Sequence, residues 1–161
     1  GTGANLPFYG TDVRLSVLEP NPHMAKRFRR RTAERGRQAT IVPEKGEDMP
    51  FPDASFDSVV TTLVLCTVDD LDRVVQEARR VLRPGGQFLF YEHVASLDPR
   101  TRRWQARLNP CWRFCTTGCN LDRDIAGEIQ RAGFAAVELR RFSLSVGWPV
   151  KIPNIVGVAR A

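Results

Sequence analysis

Lysine is almost missing from this chain of 161 residues: Lys26, Lys45 and Lys151 stand alone, so arginine supplies nearly all of the positive charge and the net +6. Those arginines are scattered over several helical stretches, and no aromatic–basic platform for stacking bases accompanies them. A solvated surface explains the charge, and nucleic acid is not expected as a partner. No apolar run approaches the roughly 18–20 residues that a spanning helix needs, so no segment here crosses a membrane, while peripheral contact stays compatible with the basic charge. No secretory leader is visible. With four cysteines, that points to a reducing compartment, the cytoplasm. Paired C-x-x-C spacing is absent, so no metal site is expected. There is no internal repeat, low-complexity tract or long linker, which leaves one domain over residues 1–161.

What is present reads as alternating strands and helices. Asn5 to Tyr9 is a short helical turn, and Val13 to Leu18 alternates like a strand that ends at Glu19. Pro20-Asn21-Pro22 opens a helix from His23 to Arg35, closed by Gly36. Ala39 to Pro43 is a short strand, and Gly46 to Ser55 a loop. Phe56 to Leu65 is nearly continuous in apolar character, as a strand buried on both faces would be. An amphipathic helix follows over Asp69 to Leu82, with Leu71, Val74, Val75, Ala78, Val81 and Leu82 inward; the turn Arg83-Pro84-Gly85-Gly86 ends it. Gln87 to Val94 is another buried strand. This rhythm predicts parallel βαβ units. Residues 96–120 break it, with a helix near Trp104 to Phe114, and read as an insertion covering a site. Asp122 to Ala132 is helical with Gly133 as cap, and Val137 to Phe142 and Ile155 to Ala159 are two closing strands.

The chemistry begins at Gly1-Thr2-Gly3-Ala4-Asn5, a glycine turn that lets backbone N–H groups approach a nucleotide-like cofactor. Glu19, ending the next strand, suits the two ribose hydroxyls of such a ligand. These features fit NAD and S-adenosylmethionine equally, and a ligand-free turn or a solvated acid would also account for them.

Two later segments separate the cofactors. Met49-Pro50-Phe51-Pro52-Asp53 and Arg80-Val81-Leu82-Arg83-Pro84-Gly85-Gly86 closely resemble the loop before the fourth strand and the turn before the fifth in class I S-adenosylmethionine-dependent methyltransferases. A closer resemblance rests on Gly1-Thr2-Gly3-Ala4-Asn5, Thr62-Leu63-Val64-Leu65-Cys66, Glu92-His93-Val94-Ala95 and Gly118-Cys119-Asn120-Leu121. These are similar to the methyltransferase-like proteins that include the alkyl-thiol S-methyltransferases. The resemblance covers nearly the whole chain. It implies a Rossmann-like α/β fold with a mostly parallel seven-stranded sheet, an antiparallel last strand, and a first strand absent from this chain. It also implies methyl transfer to a small-molecule acceptor, most simply a lipophilic thiol. A lipid or quinone-like acceptor is the alternative, and a non-catalytic cofactor-binding fragment is another.

Carried over by that resemblance, Gly1, Thr2, Gly3 and Asn5 approach the methionine part of the donor and Glu19 its ribose. Pro20 or Asn21 lies against the adenine, whose edge meets Gly46 and Glu47. Lys45 departs from the Asp or Asn of many relatives. Thr62 and Leu63 face the donor beside its methyl group. His93, at a strand end where ligands gather, is the expected general base, with a hydrogen bond to the insertion as its plainer role. Trp104, Trp112, Phe114 and Trp148 are expected to wall an acceptor pocket or to pack as core, with Cys119 and Asn120 at the substrate. Cys111, Cys115 and Cys119 are spaced by four, as along one helical face.

Overall fold

The computed structural model describes residues 1–116, 118–145 and 151–161, the side chain of Lys151 excepted. Trp148 lies outside the described residues. The chain forms two compact units, Gly1–Pro50 and Phe51–Ala161.

In the first unit a 3-10 turn, Leu6–Phe8, follows the glycines; strand β1 is Leu15–Leu18, helix α1 Pro22–Glu34 and strand β2 Ala39–Val42. Asn21 caps α1, its Oδ1 accepting from the N–H groups of His23 and Met24, while Pro22 takes the first-turn position where a missing N–H costs nothing. Gly36, at φ +61°, terminates the helix as expected. β1 and β2 pair in parallel, Leu15 with Ala39 through Leu18 with Val42. Leu6, Ala25 and Phe28 are buried between these elements. Not every arginine is merely solvated: Arg37 donates to the carbonyls of Tyr9 and Gly10 at 2.7 and 2.6 Å, and Arg31 to Thr2.

The second unit holds β3 (Phe56–Thr62), α2 (Leu71–Val81), β4 (Leu82–His93), α3 (Pro99–Cys115), α4 (Ile125–Arg131), β5 (Ala136–Ser145) and β6 (Lys151–Arg160). Its sheet runs β3-β4-β6-β5, with β3 parallel to β4 and β6 antiparallel to both neighbours. The final strand therefore inserts between its predecessors, and the Rossmann-like class with an antiparallel last strand stands. Helix α2 buries Val74, Val75, Ala78 and Val81 and is capped by Asp70. Phe88, Phe90, Ile125, Ile129 and Ile155 complete the core.

Three local expectations need correction. Strand β3 is not buried on both faces, because it is the outer strand of its sheet: Asp57, Ser58 and Val60 are exposed. The Arg83–Gly86 segment is not a turn outside the strand but an irregularity within β4. Phe56 pairs with Leu82 and Ser58 with Gln87, and Gly85, at φ +76°, donates its N–H to the Ala161 carbonyl. Helix α3 starts at Pro99, five residues before Trp104, because Asp98 accepts from the Thr101 N–H at 2.8 Å. A cap outweighs a weak apolar period.

Candidate functional site

In the first unit, β1 delivers Glu19 at its C-terminal end. The residue is only 9% exposed. Its Oε1 accepts the Asn21 N–H at 2.8 Å, and its Oε2 meets the Gly1 nitrogen. Through Asn21, Glu19 holds the start of α1. Gly3, at φ +81°, is required for packing: a Cβ there would lie 2.8 Å from Leu6 Cδ1 and 3.0 Å from Phe28 Cδ2. At Gly1, which is exposed, a Cβ would meet nothing within 4 Å. A glycine turn with an acid at the following strand end suits a ribose-bearing ligand. The residues fit S-adenosylmethionine. Thr2, Asn5, Gly46 and Glu47 are half-buried in the same unit, and Pro20 is exposed.

In the second unit, β3 ends at Thr62 and the chain turns through Leu63, a non-glycine residue at φ +54°. Such a conformation is costly for a branched side chain and needs an anchor. Glu92 on β4 supplies it. Its fully buried carboxylate accepts the N–H groups of Val64, at 3.0 and 3.2 Å, and of Leu65, at 3.1 Å. Burial raises the Glu92 pKa to about 7 against the pull of those donors. The turn leaves Leu63 and Val64 46% and 43% exposed at the end of the parallel strand pair, the edge where open α/β sheets place ligands.

Next to Glu92, His93 ends β4, and its Nε2 lies 2.8 Å from Cys119 Sγ. Trp112 donates its indole N–H to the same sulfur at 3.2 Å. Cys66, at the far side of the Leu63 turn, completes a group whose three ligand atoms all lie within 4.8 Å of one another. Asn120 locks the arrangement: its backbone N–H and Nδ2 both donate to the Cys66 carbonyl, at 2.9 and 3.0 Å. Asn109 Oδ1 receives the Leu121 N–H, and Arg123 donates to the Leu65 carbonyl. Burial lowers the His93 pKa, which favours the neutral imidazole, and burial together with the neighbouring Cys119 pushes the Cys66 thiol far up. Nδ1 of His93 is buried without a hydrogen-bond partner among the described residues.

The insertion residues divide. Trp112, Cys119 and Asn120 join this cluster, whereas Trp104 and Phe114 are 61% and 91% exposed on α3; Trp104 stacks with Arg107 and, with Arg100 and Arg103, lines an open groove away from the cluster's residues. The spacing of the cysteines by four misled for a physical reason. Helix α3 ends at Cys115, so Cys111 and Cys115 stay on its exposed side while the following loop carries Cys119 inward to a buried position. Cys66 had no signal of its own in the sequence beyond its place in the Thr62–Cys66 segment.

Comparison with known proteins makes the chain an S-adenosylmethionine-dependent methyltransferase. The profile of the methyltransferase-domain family matches residues 1–90. Human thiol S-methyltransferases TMT1A and TMT1B are each 39% identical over 163 aligned residues, 99% of this chain and 67% of theirs. The chain belongs to the methyltransferase-domain family and to the branch that contains these proteins. The ubiquinone/menaquinone biosynthesis C-methyltransferase UbiE of Brucella anthropi is 29% identical over 86% of this chain and 62% of its own length. Among solved structures, YcgJ of Bacillus subtilis superposes with a TM-score of 0.82 at 15% identity, covering 99% of this chain and 87% of that one. A methyltransferase of Methanosarcina mazei gives 0.77 at 18%, covering 99% and 88%. Those two likenesses establish the fold.

Proposed function

We propose that this chain methylates a small, lipophilic thiol in the cytoplasm, with S-adenosylmethionine as donor. The observation that carries the reading is the 39% identity, spread over 99% of the chain, to a thiol S-methyltransferase. The buried thiol–imidazole cluster adds chemical support. The UbiE likeness favours a quinone-like acceptor as the second reading, at lower identity and coverage.

The donor is assigned to Gly1, Thr2, Gly3 and Asn5, with Glu19 for the ribose, Pro20 and Asn21 for the adenine face, and Gly46 and Glu47 for its edge. Thr62 and Leu63 belong to the same assignment on the methyl-bearing side. When bound, S-adenosylmethionine supplies a methyl group on a sulfonium, so the acceptor needs deprotonation and alignment rather than strong activation. A thiol of ordinary pKa demands only a weak base. His93 is that base. Its Nε2 lies 2.8 Å from Cys119 Sγ, so the acceptor sulfur has to take the place of that contact to give up its proton there. The exposed apolar side chains of Leu63 and Val64 suit the lipophilic part of the acceptor, and Trp112 and Asn120 hold the loop that carries Cys119.

The test is product analysis by mass spectrometry, with a panel of alkyl and aryl thiols run against lipid and quinone extracts. Methylated thiols are expected, and His93→Gln should lower kcat about 100-fold with unchanged melting. Methylation confined to the extracts would overturn the thiol reading.

A further inference from the structure

We infer that Cys66, His93 and Cys119 form a binding site for a single zinc-class divalent ion with one coordination position left for the acceptor sulfur. The site is assembled from three segments far apart in sequence: the turn after β3, the end of β4 and the loop after α3. Two sulfurs and one imidazole nitrogen are a donor set that selects a soft, tetrahedral ion. Their mutual separation, within 4.8 Å, brackets the spacing of about 3.5–3.8 Å between ligand atoms that zinc–sulfur and zinc–nitrogen bond lengths impose. The 2.8 Å approach of Cys119 Sγ to His93 Nε2 must lengthen slightly to admit the ion.

An S–H···N hydrogen bond between Cys119 and His93 explains that one contact. Cys66 hydrogen-bonds to Cys119 in turn, so two buried thiols and an imidazole are already gathered about a single point. The positions are also held from outside, as metal ligands are. Trp112 donates an indole N–H to Cys119 Sγ at 3.2 Å. Asn120 fixes the Cys66 carbonyl through two hydrogen bonds, and Glu92 fixes the Val64 and Leu65 amides just before Cys66. Among the described residues three ligand atoms converge, the number found around ions that act on a substrate, whereas purely structural sites close all four positions.

Only the fourth position rests on the thiol reading. There the acceptor R–S–H loses its proton to water as its sulfur bonds to the ion. The sulfur then forms a bond to the methyl carbon while the carbon–sulfonium bond breaks, and the neutral thioether of the spent donor keeps that electron pair. With the ion bound, His93 is a ligand, and the ion replaces it in deprotonating the thiol.

Cobalt is the probe. The full chain is reduced, stripped with a chelator and titrated with Co2+ alone. One equivalent should produce thiolate-to-cobalt charge-transfer absorption with intense tetrahedral ligand-field bands, and Zn2+ should bleach both. Cys66→Ser and Cys119→Ser should each remove roughly half of the charge-transfer intensity and weaken binding about tenfold or more, with unchanged circular dichroism. The double variant of exposed residues, Cys111→Ser with Cys115→Ser, should bind like the parent. Absent cobalt–thiolate bands, or bands lost only in that double variant, would overturn the site. An alkyl thiol added to the cobalt form should shift the charge-transfer band. A spectrum indifferent to every thiol would overturn the fourth-ligand assignment, while failure of the thiol reading itself is seen separately in the product analysis.

Discussion

Glu92 is buried, and burial alone lifts its pKa from 4.5 to about 7 although three N–H···O contacts favour its charged form. The side chain holds the left-handed turn at Leu63. Glu92→Ala leaves the Val64 and Leu65 N–H groups unpaired beside a new cavity, and about 2–4 kcal/mol of stability should be lost in urea titration. Glu92→Gln keeps an acceptor oxygen and should cost clearly less. The pH dependence follows from the raised value. The folded chain binds more protons than the unfolded one between pH 4.5 and about 7. The contribution of Glu92 is therefore fully present below pH 4.5 and is lost as pH rises through about 7. Chelator-treated Glu92→Gln should lack that slope in its urea midpoints. The sequence marks Glu92 as a structural partner rather than a catalyst, but which groups it holds is visible only once the Leu63 turn is folded against it.

At the scale of elements, caps and close contacts decide what apolar periodicity leaves open. The inner face of α2 is legible from Val74, Val75, Ala78 and Val81, but its start is set by Asp70, whose Oδ1 accepts the Arg73 N–H at 3.1 Å. Asp70→Ala should cost about 1 kcal/mol in urea denaturation. Strand β6 poses a stricter demand. A Cβ at Gly157 would lie 2.3 Å from the Glu138 carbonyl oxygen, 2.7 Å from Phe90 Cζ and 2.9 Å from Leu139 Cα. Backbone on the neighbouring strand cannot yield cheaply, so Gly157→Ala should lose about 2–3 kcal/mol or more and lower Tm accordingly. The same limits explain the misplaced boundaries. The start of α3 depended on Asp98, and the Pro84–Gly86 irregularity depended on pairing with residues near Ala161, which no local window contains.

For the whole molecule, a donor that binds only the folded chain must stabilise it. At 100 times its Kd, S-adenosylmethionine should add about 2.7 kcal/mol, or roughly 5–10 °C in Tm for a chain of this length. Glu19→Ala removes the carboxylate assigned to the ribose, and calorimetry should show at least about tenfold weaker donor binding with the thermal shift reduced to match. An undiminished shift would remove Glu19 from the donor site.

By itself the sequence determined the class. Alternation of strand and helix patterns, the acid ending β1 and the Pro-Phe and Pro-Gly-Gly segments are local features, so they survive reading one residue at a time. The antiparallel direction of the last strand came with the family resemblance, whereas its insertion between β4 and β5 is seen only in the sheet order. Only the tertiary structure decided which side chains meet. Cys66, His93 and Cys119 are separated by 26 residues or more at each step, and their convergence depends on a helix that stops at Cys115 and a turn held open by a buried acid. Sequence spacing carries distance information only within one element. Between elements, packing and the need to satisfy buried polar groups set the distances, and the chemistry of the acceptor side is written there.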